Sequence, residues 1–267
     1  MSRVSLGLLL DLVWSATRIS LRSFDVTRSW RTLLVALGIG PCLQVVYLVG
    51  MSGTTQSDAA RIRVAIAAAL LSAAIAAVES TSIVLATSRY DGALAPVMLS
   101  TLPAFLVWVG QIIAATVVGA AAGLIGVGFT SLFFFGSGTS FPIVGSLVAV
   151  IVTSISTAGF GFAVGALSLQ LRDSLLPASI TVSVMFVLCG VVTPLSNYWG
   201  PFQIIANVVP LTQSTEAIDF LLRGDLASYA IRLGIALLIG VAWTVIGSIG
   251  WKMLDRRSRR SGSMELL

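Results

Sequence analysis

Residues 62–86 read IRVAIAAALLSAAIAAVESTSIVLA. A membrane span needs ~20 mostly apolar residues, because the hydrocarbon core is ~30 Å thick and a helix rises ~1.5 Å per residue. This run meets that length, and in lipid its backbone must satisfy its own hydrogen bonds, so it is read as a helix. Glu79 is the one carboxylate inside it. Five more runs of similar character flank it, near Thr32–Val49, Ala104–Phe129, Val144–Leu169, Leu176–Thr193 and Tyr229–Met253. The reading is an all-α membrane protein with six transmembrane helices.

Composition agrees. Hydrophobic residues make up 57% of the 267 and charged residues only 10%, where a soluble domain carries roughly a quarter of its residues charged. Mean hydropathy is +0.99. There is no histidine, which removes the commonest general base and metal ligand. The two cysteines, Cys42 and Cys189, lie in apolar runs and read as small packing residues, not as a disulfide or zinc site. No metal site and no catalytic constellation is expected. An intramembrane enzyme would need paired acids, histidines or a metal cluster facing one cavity, and the spans offer Glu79 and little else.

Residues 1–30 are not a span. Arg3, Gly7, Asp11, Ser15, Arg18, Arg22 and Asp25 step by three or four, while Leu6, Leu9, Leu10, Val13, Ile19 and Phe24 fill the other side. That pattern predicts an amphipathic helix in the membrane interface; Asp11 cuts the leading apolar run too short for a signal peptide. The chain then divides as one transmembrane domain: the interfacial helix 1–30, a six-span bundle 31–253 and a tail 254–267. With the N-terminus inside, twelve of the 16 Arg and Lys residues fall on the inner side and four (Arg61, Arg63, Arg223, Arg232) outside. The positive-inside bias therefore places both termini in the cytoplasm. Gly119–Gly123 and Gly161–Gly165 have the spacing for close helix packing, but among 25 glycines such spacing also arises by chance and carries little weight.

Two segments carry functional signal. SRYDGALAPVMLS, residues 88–100, pairs Ser88 with Asp91 at capping-box spacing, and Val97, Met98 and Leu99 then form a small apolar face. A short capped helix of this kind suits docking into a groove on another protein; an ordinary interfacial loop is the equal alternative. In residues 186–225 an apolar helix ends at Cys189-Gly190, and a stretch broken by Pro194, Gly200, Pro201 and Pro210 follows, with Glu216, Asp219 and Arg223 inside it. Such a stretch can dip into the outer leaflet and return only if protein shields its backbone.

These two segments resemble the ABC-2 family of ATP-binding-cassette exporter permeases. Asp91, Gly92, Ala93, Leu94, Ala95, Pro96, Val97, Met98 and Leu99 occupy the register of that family's loop after the second span, with Ala93 and Ala95 departing from its usual Thr and acid. Gly190, Pro194, Pro210-Leu211-Thr212 and Glu216, closed by Arg223-Gly224, match its late signature. The resemblance implies that Arg89, Asp91, Gly92, Leu94, Val97 and Met98 belong to a coupling helix that docks on a cytoplasmic ATPase. It implies re-entrant helices before the last span, with Gly190, Pro194, Pro210 and Glu216 at an outer gate. It also implies a transporter of two permease copies and two ATPase copies in a bacterial inner membrane. A phosphate-binding loop needs Gly-Lys-Ser/Thr, and the one lysine sits in Trp251-Lys252-Met253, so ATP and Mg would be bound by a separate subunit.

The functional expectation is the membrane subunit of an exporter for an amphipathic or lipophilic small molecule, a drug or peptide-like natural product. A permease for lipid-linked glycans is an alternative; so is an ion-coupled transporter or channel without an ATPase. Glu79 is expected to snorkel to the interface or meet a partner arginine, with a direct role in the substrate pathway as the sharper alternative.

Overall fold

The computed structural model describes residues 6–24, 29–52, 57–90, 104–134, 142–169, 171, 176–191 and 195–261. The fold is all-α, with no strand among the described residues. Helix α1 runs Leu6–Ser23 and α2 Trp30–Met51; α3 is Asp58–Tyr90, α4 Ala104–Phe134, α5 Ile143–Ser168 and α6 Leu176–Leu188. A 3-10 turn at Leu195–Asn197 precedes the short helices α7 (Gly200–Asn207) and α8 (Pro210–Leu222), and α9 covers Leu226–Ser261.

Five of these helices, α2, α3, α4, α5 and α9, are long and apolar enough to cross a membrane. The run read as a fifth span, Leu176–Thr193, forms a helix of only 13 residues. At ~1.5 Å per residue that is about 20 Å, short of a full hydrocarbon core. Its end is set by Gly190, whose φ of 71° is left-handed and closes the last turn.

Burial sorts the helices. The most apolar window of α3 is 78% buried and that of α5 72%, against 22% for α2 and α9. So α3 and α5 form the centre of the bundle and α2 and α9 its exposed periphery. Close approach at the centre comes from small residues. A Cβ on Gly119 of α4 would sit 2.7 Å from the Ala73 carbonyl oxygen of α3, and one on Gly161 of α5 would sit 2.8 Å from Val78 Cα. Gly123 and Gly165 make the matching contacts one turn on, against Ala73 and Leu85. Both glycine pairs discounted in the sequence are therefore real helix crossings.

Local irregularities follow from the sequence. Pro41 lies inside α2, lacks an N–H and would clash with the carbonyl four residues back. The helix absorbs this as a π turn over Leu34–Ile39, with the Gly40 N–H bonding to the Val35 carbonyl five residues back. Helix α1 lies on α4 where Gly110 meets Ala16 and Thr17. It turns Thr17, Ser20 and Phe24 inward and leaves Asp11, Ser15, Arg18 and Arg22 exposed, as its periodicity predicts. Ile19, expected on the inner side, is 69% exposed and Trp14 57%; with Arg18 stacked over the Trp14 ring they form an amphipathic outer surface suited to an interface.

Candidate functional site

The breaks after α6 free backbone groups that a lipid environment cannot satisfy. The protein satisfies them with side chains. Thr215 Oγ1 donates to the Cys189 carbonyl at 2.7 Å, and Thr212 Oγ1 donates to the Ala206 carbonyl at 2.6 Å. Tyr198 donates to the Val187 carbonyl at 2.8 Å, and Trp243 Nε1 to that of Val208 at 2.9 Å. The first half of α8 is consequently a polar helix turned inward, with Thr212, Gln213, Ser214 and Thr215 all buried. Pro210 starts it, where a missing N–H costs nothing.

Two arginines fix this assembly to the long helices. Arg63, one turn into α3, donates to both carboxylate oxygens of Asp219 on α8. The same guanidinium donates to the carbonyls of Gly190 (3.1 Å) and Val191 (3.2 Å) at the end of α6. Its planar fork thus holds three elements at once, which an ammonium group could not do. On the other side of α8, Arg232 of α9 forms an ion pair with Glu216 at 2.8 Å and donates to Gln213 Oε1 at 2.9 Å. Gln213 in turn donates to Asn207 Oδ1 at 2.9 Å. Glu216 and Asp219 are three residues apart on one helix and each has its own arginine. At the start of α9, Asp225 caps the helix by accepting from the Ser228 N–H at 3.1 Å, and the Ser228 hydroxyl, with this N–H second, holds its carboxyl below the usual aspartate range.

Of the residues expected at the outer gate, Gly190, Pro210 and Glu216 are therefore brought together, and Pro194 lies outside the described residues. On the coupling side, Arg89 falls in the last turn of α3, while Asp91, Gly92, Leu94, Val97 and Met98 lie outside the described residues. Glu79 is exposed on α3, and among the described residues neither ion pair involves it. The sequence reading missed the roles of Arg63 and Arg232, counting them only as outer-loop charges. The usable signal was that two carboxylates on one apolar-flanked helix require two cations nearby.

A family profile described as ABC-2 type transporter matches residues 11–221 of this chain. The match runs from within α1 to the last turn of α8, and so takes in the sequence after α3 and the Arg63–Asp219 pair. No curated protein matches it.

Proposed function

The chain belongs to the ABC-2 type transporter family and is a multi-pass membrane permease, and from that we propose that it is the membrane subunit of an ATP-driven exporter. A separate cytoplasmic ATPase supplies the energy, and a second permease copy completes the pathway. The cargo is an amphipathic or lipophilic small molecule. The membrane is a bacterial inner membrane, with both termini on the cytoplasmic side.

The observation that carries this reading is α3. It is one unbroken helix of 33 residues, about 50 Å long. At one end its last residues open the segment 88–100 proposed to dock on the ATPase. At the other, through Arg63, it grips α6 and α8. A displacement of the docking segment is thereby delivered to the far end by a rigid element with two discrete attachments. ATP binding and hydrolysis bias that element, since a ligand moves a conformational equilibrium only through its differential affinity for the two states.

The test is to extract the tagged chain from native membranes in mild detergent and identify its partners by mass spectrometry. A stoichiometric ATPase with a phosphate-binding loop is expected. Gly92→Glu or Leu94→Glu is expected to lose that ATPase while still inserting into the membrane. An intact, folded permease with no ATPase would overturn the reading in favour of an ion-coupled transporter or channel.

A further inference from the structure

Helix α1 carries a face that the bundle does not cover. Its inner face is buried at Thr17, Ser20 and Phe24, and Phe24 shares a core cluster with Leu37 of α2 and Ala114 of α4. On the opposite side Arg18 and Arg22, four residues apart, stand one above the other and are both exposed. At ~3.6 residues per turn, Trp14 falls on one flank of that arginine row and Ile19 on the other; they are 57% and 69% exposed. The Arg18 guanidinium lies 5.0 Å from the centre of the Trp14 ring, a cation–π contact. The next helix opens in the same way, with Trp30 70% exposed and Arg31 exposed beside it.

The depth of α1 decides what this face meets. A Cβ on Gly110 would stand 2.6 Å from Ala16 Cβ. The middle of α1 therefore rests on α4 four residues, about 6 Å, inside the apolar window Leu106–Leu132. The apolar window of α2 opens at Trp30 itself. Both contacts put the exposed rings and guanidinium groups level with the ends of apolar spans, where hydrocarbon gives way to headgroups. Tryptophan favours that level. Arginine at that level meets phosphate, whose oxygens its planar fork matches in pairs. A choline headgroup sets a cation beside its phosphate, whereas an anionic headgroup does not. Residues 1–31 hold five arginines against two aspartates, so the charge of this region favours the anionic surface. A soluble protein would have to cover Ile19 and Trp30 at the edge of the hydrocarbon, where lipid already stands.

We propose that α1 and the head of α2 form a binding surface for anionic phospholipid, with Arg18, Arg22 and Arg31 on its phosphates and Trp14, Ile19 and Trp30 among its acyl chains. The surface anchors α1 to the membrane independently of any cargo or ATPase, and on whichever side of the membrane α1 lies.

The full-length chain is purified in neutral detergent, stripped of lipid and titrated with phosphatidylglycerol or phosphatidylcholine of the same acyl chains. Bound lipids are counted by native mass spectrometry. Preferential binding of phosphatidylglycerol is expected. Arg18→Gln combined with Arg22→Gln should lower its affinity by about fivefold for each charge removed, the worth of one arginine at an anionic surface, and leave phosphatidylcholine binding unchanged. Asp11→Asn, which removes the carboxylate from the same face, should raise phosphatidylglycerol binding. Arg31→Gln, at the head of the other helix, should cost about fivefold by itself and decides the matter if the double variant does not fold. Equal binding of the two lipids by the wild type would overturn the proposal, as would an undiminished preference in the folded arginine variants. So would a double variant that keeps the lipid preference and loses a protein partner, a second copy included, since the arginines would then meet protein.

Discussion

Arg63 shows what a single side chain contributes at a chain break. Its side chain is 13% exposed and that of Asp219 29%, so the pair is neither fully desolvated nor freely screened. Breaking a fully buried pair costs roughly 3–5 kcal/mol, whereas an exposed one is worth at most about 1. Arg63→Gln should fall between, at about 1–3 kcal/mol, because it also abandons the Gly190 and Val191 carbonyls. Arg63→Lys should recover only part of that loss, since one ammonium cannot span the carboxylate and two carbonyls. Thermal unfolding in detergent, read for both variants and for Asp219→Asn, checks the order. Asp225 gives a pH dependence of defined sign. Its carboxyl is held below the ordinary value of about 3.9 by its bonds from Ser228, so the folded state takes up this proton less readily than the unfolded chain. The contribution is fully present at neutral pH and is lost as pH falls through the lowered value. Amide exchange at residues 226–229, corrected for intrinsic rates, should accelerate over that acid range in the wild type and show no such step in Asp225→Ala.

Among the elements, α3 and α5 hold the bundle together through small residues. Gly161 leaves no room for a side chain, with Val78 Cα and the Val78 carbonyl oxygen 2.8 and 3.1 Å from where a Cβ would stand. Gly161→Leu must therefore separate two central helices; overpacking of this kind costs typically about 1–3 kcal/mol. Gly128, with nothing near its missing Cβ, is the control at which alanine should be neutral or slightly stabilising. Melting temperatures of the two purified variants decide it. These crossings mark the limit of what the sequence made legible. The spans were readable because lipid demands long apolar helices, and their starts and ends fall close to those observed. The exposed polar edge of α1 was readable from its 3.6-residue period. The glycine contacts were not, because spacing alone cannot distinguish a crossing from chance in a glycine-rich chain. The short α6 was misjudged in length because the apolar run continues through Cys189 to Thr193 while the helix stops at the left-handed Gly190. The Arg63–Asp219 clamp joins residues 156 positions apart, and no local pattern reports a pairing of that kind.

For the whole molecule, the question is which end faces which side. Five of the described helices are long and apolar enough to cross a membrane and α6 is too short to do so alone, yet an even number of crossings is needed if both termini share a side. In the topology proposed here α6 makes the sixth crossing. Its end is extended by Cys189–Val191, which are buried against protein, with their carbonyls taken by Thr215 and Arg63. A short helix continued by shielded, side-chain-satisfied backbone crosses the hydrocarbon as effectively as a longer one. The orientation proposed from the twelve-to-four distribution of basic residues would put α7 and α8 at the outer end and the sequence after α3 on the cytoplasmic side. Ile204, 71% exposed on α7, is the position to interrogate from outside and Ser100 the one from inside. With Cys42 and Cys189 replaced by alanine, Ile204→Cys should react with an impermeant maleimide in intact cells. Ser100→Cys should react only after the membrane is opened. The reverse pattern would invert the orientation; reaction of both from one side would mean that α6 does not complete a crossing.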